Sequence, residues 1–214
     1  MRPLQSLPAL LAAGLTAATV GLSAPAKADA AAIKDAPNDV RVTTFPSDGS
    51  ALVVVIDPDD AGDDITRAVV KHSRNRVKVT VHVRDLRARS MPTLQVRFKT
   101  NNGSYRVWLS KEPLVGTQLL ILTPERLDAV RSCHGPRQSY KPALDIVAFS
   151  VPRRCLDNPR WIRAQTALLE AQFVEGETTD DLTITEFQDM AGPTGKVPLF
   201  VFTKNSTTPK LFRG

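Results

Sequence analysis

The stretch DPDDAGDDI, Asp57 to Ile65, places five aspartates within eight residues. Clustered carboxylates can bind a hard cation, serve as acid and base across a cleft, or simply hold a turn. Against the calcium loop D-x-[DN]-x-[DN]-G-x5-E, Asp57, Asp59 and Gly62 fit the first, third and sixth positions. Ala61 and Ala68 stand where that loop needs an oxygen ligand and a bidentate glutamate, so the EF-hand reading fails. A looser structural calcium held by Asp57, Asp59, Asp60 and Asp63 stays open, because hard cations need only converging oxygens. The simpler reading is a turn between two strands, with Asp side chains bonding nearby amides. No other cofactor is expected.

Acid-base chemistry has few candidates. The chain has only three histidines, His72, His82 and His134. His72 and His82 fall on opposite faces of a strand pair and several residues apart at ~3.3 Å each, so they cannot share a metal or a proton. His72 reads as a rim residue satisfied by local hydrogen bonds, and His134 has no legible partner. There is no G-x-S-x-G elbow, no H-E-x-x-H, no P-loop and no G-x-G-x-x-G. The sequence therefore offers no catalytic residues to name.

Charge is the sharper signal. The chain carries 28 Lys and Arg against 22 Asp and Glu, a net charge of +6. Between Ile65 and Ser110 there are eleven lysines and arginines against Asp85 alone. Such a run is either a solvated face that discourages edge pairing or a docking surface for a polyanion.

The elements that carry these charges alternate with period two. In RVKVTVHV, Val77, Val79, Val81 and Val83 share one face and Lys78, Thr80 and His82 the other. Further strand patterns fall at 51–56, 65–72, 94–100, 104–109, 118–122, 144–151, 161–169, 182–187 and 197–203, with almost no helical periodicity. That predicts an all-β, two-sheet antiparallel β-sandwich of jelly-roll type. Arg74-Asn75 as a turn pairs His72 with Val77, Val70 with Val79 and Ala68 with Val81, and sets Lys71 opposite Lys78. Asn102-Gly103 as a type I′ turn pairs Phe98 with Val107. It also sets Lys99 opposite Arg106 and Arg97 opposite Trp108, so Arg97, Lys99, Arg106 and Trp108 form a candidate anion- or sugar-binding patch.

Residues 1–30 read as a secretory signal peptide: Arg2, an apolar run from Leu7 to Leu22, and small-x-small sites for cleavage after Ala28 or Ala30. The apolar run is shorter than the ~20 residues a membrane span needs. In an exported protein Cys133 and Cys155 are expected to form a disulfide. Residues 31–50 read as an N-terminal linker and 51–214 as a single sandwich domain, with 176–214 as an edge hairpin and tail.

The pattern DDAGDDITRAVVKHSRNRVKVTVHVRDL, followed by VPRRCLDNPRWIR, resembles a group of uncharacterised secreted β-sandwich proteins common in actinobacteria. The resemblance implies a jelly-roll-like or carbohydrate-module-like fold and no established activity. Together these features point to a secreted, non-catalytic binding or cell-envelope accessory module, recognising an anionic polysaccharide or cell-wall polymer through a basic sheet face. An extracellular hydrolase without a recognisable motif and a structural surface protein are the alternatives. Nucleic acid is a disfavoured partner, and a monomer is the default expectation.

Overall fold

A computed structural model describes residues 29–45, 53–57, 59, 64–86, 92–112, 116–123, 126–130, 132–175, 182–192 and 207–214. Among these, fourteen strands follow one another: β1 (Asp29–Lys34), β2 (Val40–Phe45), β3 (Val53–Asp57), β4 (Ile65–His72), β5 (Arg76–Val83), β6 (Thr93–Thr100), β7 (Ser104–Glu112), β8 (Gly116–Thr123), β9 (Arg126–Val130), β10 (Arg137–Lys141), β11 (Ile146–Pro152), β12 (Trp161–Glu175), β13 (Leu182–Met190) and β14 (Leu211–Phe212). They form two antiparallel sheets packed face to face. The smaller sheet has five strands in the order β1-β4-β5-β11-β10. The larger has nine, ordered β3-β2-β13-β12-β6-β7-β8-β9, with β14 paired to β12. No helix among the described residues is long and apolar enough to cross a membrane.

Alternation explains why the sheets stack. Val77, Val79, Val81 and Val83 of β5 and Val147, Phe149 and Val151 of β11 point inward from the smaller sheet. Leu94, Val96 and Phe98 of β6, with Ile162, Ala164 and Leu168 of β12, meet them from the larger one. Phe98 and Phe149 touch edge to face across the sandwich, their ring centroids 6.4 Å apart. Each fully buried Val, Leu or Phe contributes about 1.5–3 kcal/mol, so this shared layer is the main source of cohesion.

The first hairpin has the register that the alternation and the Arg74-Asn75 turn predict: Ala68↔Val81, Val70↔Val79, Lys71↔Lys78 and His72↔Val77. The second does not. The turn centres on Asn101-Asn102, closed by the Thr100 N–H donating to Gly103 O at 2.8 Å, and Gly103 takes a positive φ of 143°. Phe98 therefore pairs with Tyr105 and Arg97 with Arg106, a slide of two residues from the Asn102-Gly103 register. A two-residue slide leaves every side chain on its own face, so the apolar pattern fits both registers equally. Distant anchors decide: Tyr105 Oη donates to Asp157 Oδ2 at 2.6 Å, Asn102 Nδ2 donates to Asp157 O at 2.6 Å, and Arg160 N–H donates to Asn101 Oδ1 at 2.7 Å.

Two boundary expectations change. Residues 31–50 are not a linker, because β1 pairs with β4 in one sheet and β2 pairs with β13 in the other. With β2 and β3 outside it, β13 lies inside the larger sheet and is not part of an edge hairpin. The strand expected at 197–203 lies outside the described residues. His72 is not a rim residue either. It is fully buried, with Nδ1 2.9 Å from the carbonyl of Leu211, far along the chain. That carbonyl makes Nδ1 the protonated nitrogen, while Nε2 is buried with no partner among the described residues. Burial holds the His72 imidazole below its ordinary pKa.

Candidate anion-binding face

Reading partners across the five-stranded sheet assembles its outer surface row by row. Ala30, Lys71, Lys78, Ser150 and Arg137 lie side by side on β1, β4, β5, β11 and β10. Two residues along come Ala32, Val69, Thr80, Ala148 and Ser139, and two further Lys34, Arg67, His82, Ile146 and Lys141. Lys34, Arg67, Lys71, Lys78, Arg137 and Lys141 are all exposed, and none is ion-paired among the described residues. No carboxylate occupies any of these positions. Two cationic rows thus flank a row of small or neutral side chains. Four residues of strand at ~3.3 Å each set the outer rows ~13 Å apart, and five strands at ~4.8 Å make each row ~19 Å long.

A groove of about 400 Å³ lies over β5, β11 and β10, lined by Arg76, Lys78, Arg137 and Lys141 above Thr80, Ser139 and Ala148. Its end wall is built. Arg76 donates from Nε to Ser150 Oγ at 2.7 Å, and from Nη2 to the carbonyls of Ser150 at 2.8 Å and Gly135 at 2.9 Å. Gly135 holds a positive φ of 87°, a conformation suited to glycine. Arg154 Nη2 donates to His134 O at 2.7 Å, and the Cys133–Cys155 disulfide (Cα–Cα 5.7 Å) ties the same loop to the turn after β11. Burial first, then the positive neighbours Arg137 and Arg154, hold the Arg76 guanidinium below its usual pKa. The groove offers positive charge and hydroxyls, which suits anion binding by charge-assisted hydrogen bonds.

The patch named from the second hairpin lies on the outer face of the other sheet. There Arg97 faces Arg106, Lys99 faces Ser104 and Trp108 faces Gln95. The cationic pair is therefore Arg97 with Arg106, not Lys99 with Arg106. The cation over the Trp108 ring is Arg106, 6.0 Å from its centroid, and not Arg97. Arg97 and Arg106 are half-buried, and burial lowers both guanidinium pKa values, with Arg106 adding to the effect on Arg97. The basic run between Ile65 and Ser110 is thus not one surface. Its hairpins, β4–β5 and β6–β7, sit in opposite sheets and face away from each other.

Sequence reasoning missed Arg137 and Lys141 because RQSYK lacks apolar alternation. Their spacing of four, which keeps both on one strand face, was the available signal.

The aspartate loop divides. Asp57 Oδ1 accepts the Asp59 N–H at 3.0 Å, the local bond of a turn; Asp60 and Asp63 lie outside the described residues. Asp64 is fully buried, accepts the Asn38 N–H at 3.1 Å through Oδ2 and pairs with Arg84. A different acidic group forms where the sheets meet: Asp35, Asp39 and Asp189 bring carboxylate oxygens within 4.8 Å of one another. Burial first, then the charges of Asp189 and Asp39, push the Asp35 pKa up to about 9. Burial first, with a contribution from Asp39, raises that of Asp189 to about 7. Asp35 keeps its proton at neutral pH and shares it with Asp189.

Comparison with protein-family models, with curated proteins and with solved structures finds no match.

Proposed function

We propose that the chain is an exported binding module that holds a polyanion against the outer face of its five-stranded sheet. The observation that carries this reading is Lys71 directly opposite Lys78 in a face where Lys34, Arg67, Arg137 and Lys141 add charge and no carboxylate intervenes. Like charges directly across a strand pair destabilise it by a few tenths of a kcal/mol or more. Such a face is more useful bound than bare, because an anionic polymer would neutralise both rows and release its counterions. The leader-like residues 1–30 support a role at the cell envelope or outside the cell, where acidic polysaccharides and cell-wall polymers are the abundant polyanions. The exported sandwich proteins that the chain resembles fit the same setting.

Retention on immobilised heparin, as a model polyanion, tests the reading. The triple variant K71Q/K78Q/R137Q should lose tenfold or more in affinity at low salt. The slope of log affinity against log salt should fall by about one for each cation removed. R97Q/R106Q, on the opposite sheet, is the control and should bind as the native chain does. Equal retention of the triple variant and the native chain would return this face to ordinary solvated surface.

A further inference from the structure

The arrangement of the two rows says more than their charge, and we infer from it that the ligand is a linear acidic polysaccharide lying across the strands, in the trough between the rows. This inference rests on the polyanion reading of the same face. The trough floor is Ala32, Val69, Thr80, Ala148 and Ser139, a continuous line perpendicular to the strands. Lysine and arginine stems rise on both sides of it, so the walls are charged and the floor is low. Along the axis of the trough a chain meets Lys71, Lys78 and Arg137 on one flank and Lys34, Arg67 and Lys141 on the other. A polymer lying parallel to the strands would instead cross the rows and meet each only once.

The trough deepens toward β10 into the groove over Thr80, Ser139 and Ala148. Ser139 and Ser150 supply hydroxyl groups there, suited to sugar hydroxyls between the anionic substituents. No Phe, Tyr or Trp stands in the three rows, so bases lack the stacking platform that single-stranded nucleic acid binding normally uses. The flanking charges are spread over both sides of a line, a pattern that matches an unbranched chain with substituents on alternating sides. A flat anionic lipid surface would gain nothing from the low floor.

The test separates charge from shape. Native protein is titrated with heparin oligosaccharides of increasing length, and separately with single-stranded DNA and with phosphatidylserine–phosphatidylcholine vesicles. Affinity for the oligosaccharides should rise with length until the chain spans the ~19 Å of the five strands, then level off. Ala148→Trp fills the trough at unchanged charge and should lower oligosaccharide affinity tenfold or more. Ser139→Trp, on the edge strand β10, gives the same test if the first variant fails to fold. If both fillers bind like the native chain while K71Q/K78Q/R137Q loses affinity, the polyanion reading stands and the trough is overturned. If the charge variant also binds normally, both fall. Tighter binding of DNA or vesicles than of the longest oligosaccharide would overturn the assignment to a polysaccharide.

Discussion

Replacing Asp35 with Asn should make the protein more stable in mild alkali and remove most of its pH dependence above neutrality. Asp35 Oδ1 accepts the N–H groups of Gly192 at 2.7 Å and Ala36 at 3.0 Å, binding the end of β1 to the end of β13. Asp189 Oδ2 accepts the Ile65 N–H at 2.5 Å, which brings in the start of β4. Asp39 faces both from the loop before β2, and Asp64 with Arg84 lies alongside. Folding therefore buries carboxyls that ionise freely in the unfolded chain.

The sign follows from proton counting. A carboxyl whose pKa is raised on folding keeps its proton where the unfolded chain has lost it. The native state then binds more protons, and stability falls as pH rises. For Asp35, ordinarily at 3.8 and raised to about 9, the fall begins near pH 4 and ends near pH 9. Each pH unit within that window costs about 1.4 kcal/mol, so pH 7 to 9 alone removes roughly 2–3 kcal/mol. Below pH 6.5 His72 acts the other way, since its lowered pKa makes its protonation unfavourable to folding, so the clean window is pH 7 to 9. Asn keeps an acceptor for Gly192 and Ala36, and its amide can donate to Asp189 in place of the shared proton. Denaturant midpoints for native and D35N protein, measured from pH 6.5 to 9, should diverge, with D35N the flatter and the more stable at pH 9. Parallel curves, or a native midpoint that rises with pH in that window, would refute the reasoning.

Two further outcomes can be checked. Cys133→Ser with Cys155→Ser should cost about 3 kcal/mol from lost chain restriction, seen as a lower denaturant midpoint, and should weaken heparin retention because the Gly135 carbonyl no longer fixes Arg76. The mature N-terminus should be Asp29, read by N-terminal sequencing of the exported protein. Cleavage after Ala28 leaves β1 whole with Asp29 Oδ2 accepting the Phe212 N–H at 2.8 Å, whereas cleavage after Ala30 would delete that bond.

How much of this was legible depends on whether the signal was local. The sandwich and the first hairpin could be read because Val77, Val79, Val81 and Val83 alternate cleanly against Lys78, Thr80 and His82. The second hairpin could be read only to within two residues, because parity is blind to a two-residue slide and the deciding bonds come from Asp157 and Arg160. β1 was lost because its Ala-rich DAAAIK continues the Ala-rich composition of the residues before it. The Asp35–Asp39–Asp189 group was invisible for a different reason: the pairing of β13 with β2 brings together residues from opposite ends of the chain. The short spacing of Asp57 to Asp64 drew attention to a loop, while the carboxyls that interact most strongly lie far apart in sequence.

The same distinction decides which cations matter. Eleven basic residues between Ile65 and Ser110 look like one electrostatic feature along the chain. In space, β4 and β5 lie in one sheet and β6 and β7 in the other, so the run divides between faces pointing away from each other. On the larger sheet Arg97 and Arg106 are half-buried and interleaved with Gln95, Gln165 and Trp108, and their charge is spent partly within the protein. On the smaller sheet β11 enters between β5 and β10, and this late insertion sets Arg137 and Lys141 beside the cations of β4 and β5. β11 contributes Ile146, Ala148 and Ser150 to the outer face, all short or neutral, so it spaces the cations and lowers the floor between them. The sequence run supplies half of the charge, and the long-range pairing of β11 turns it into a trough.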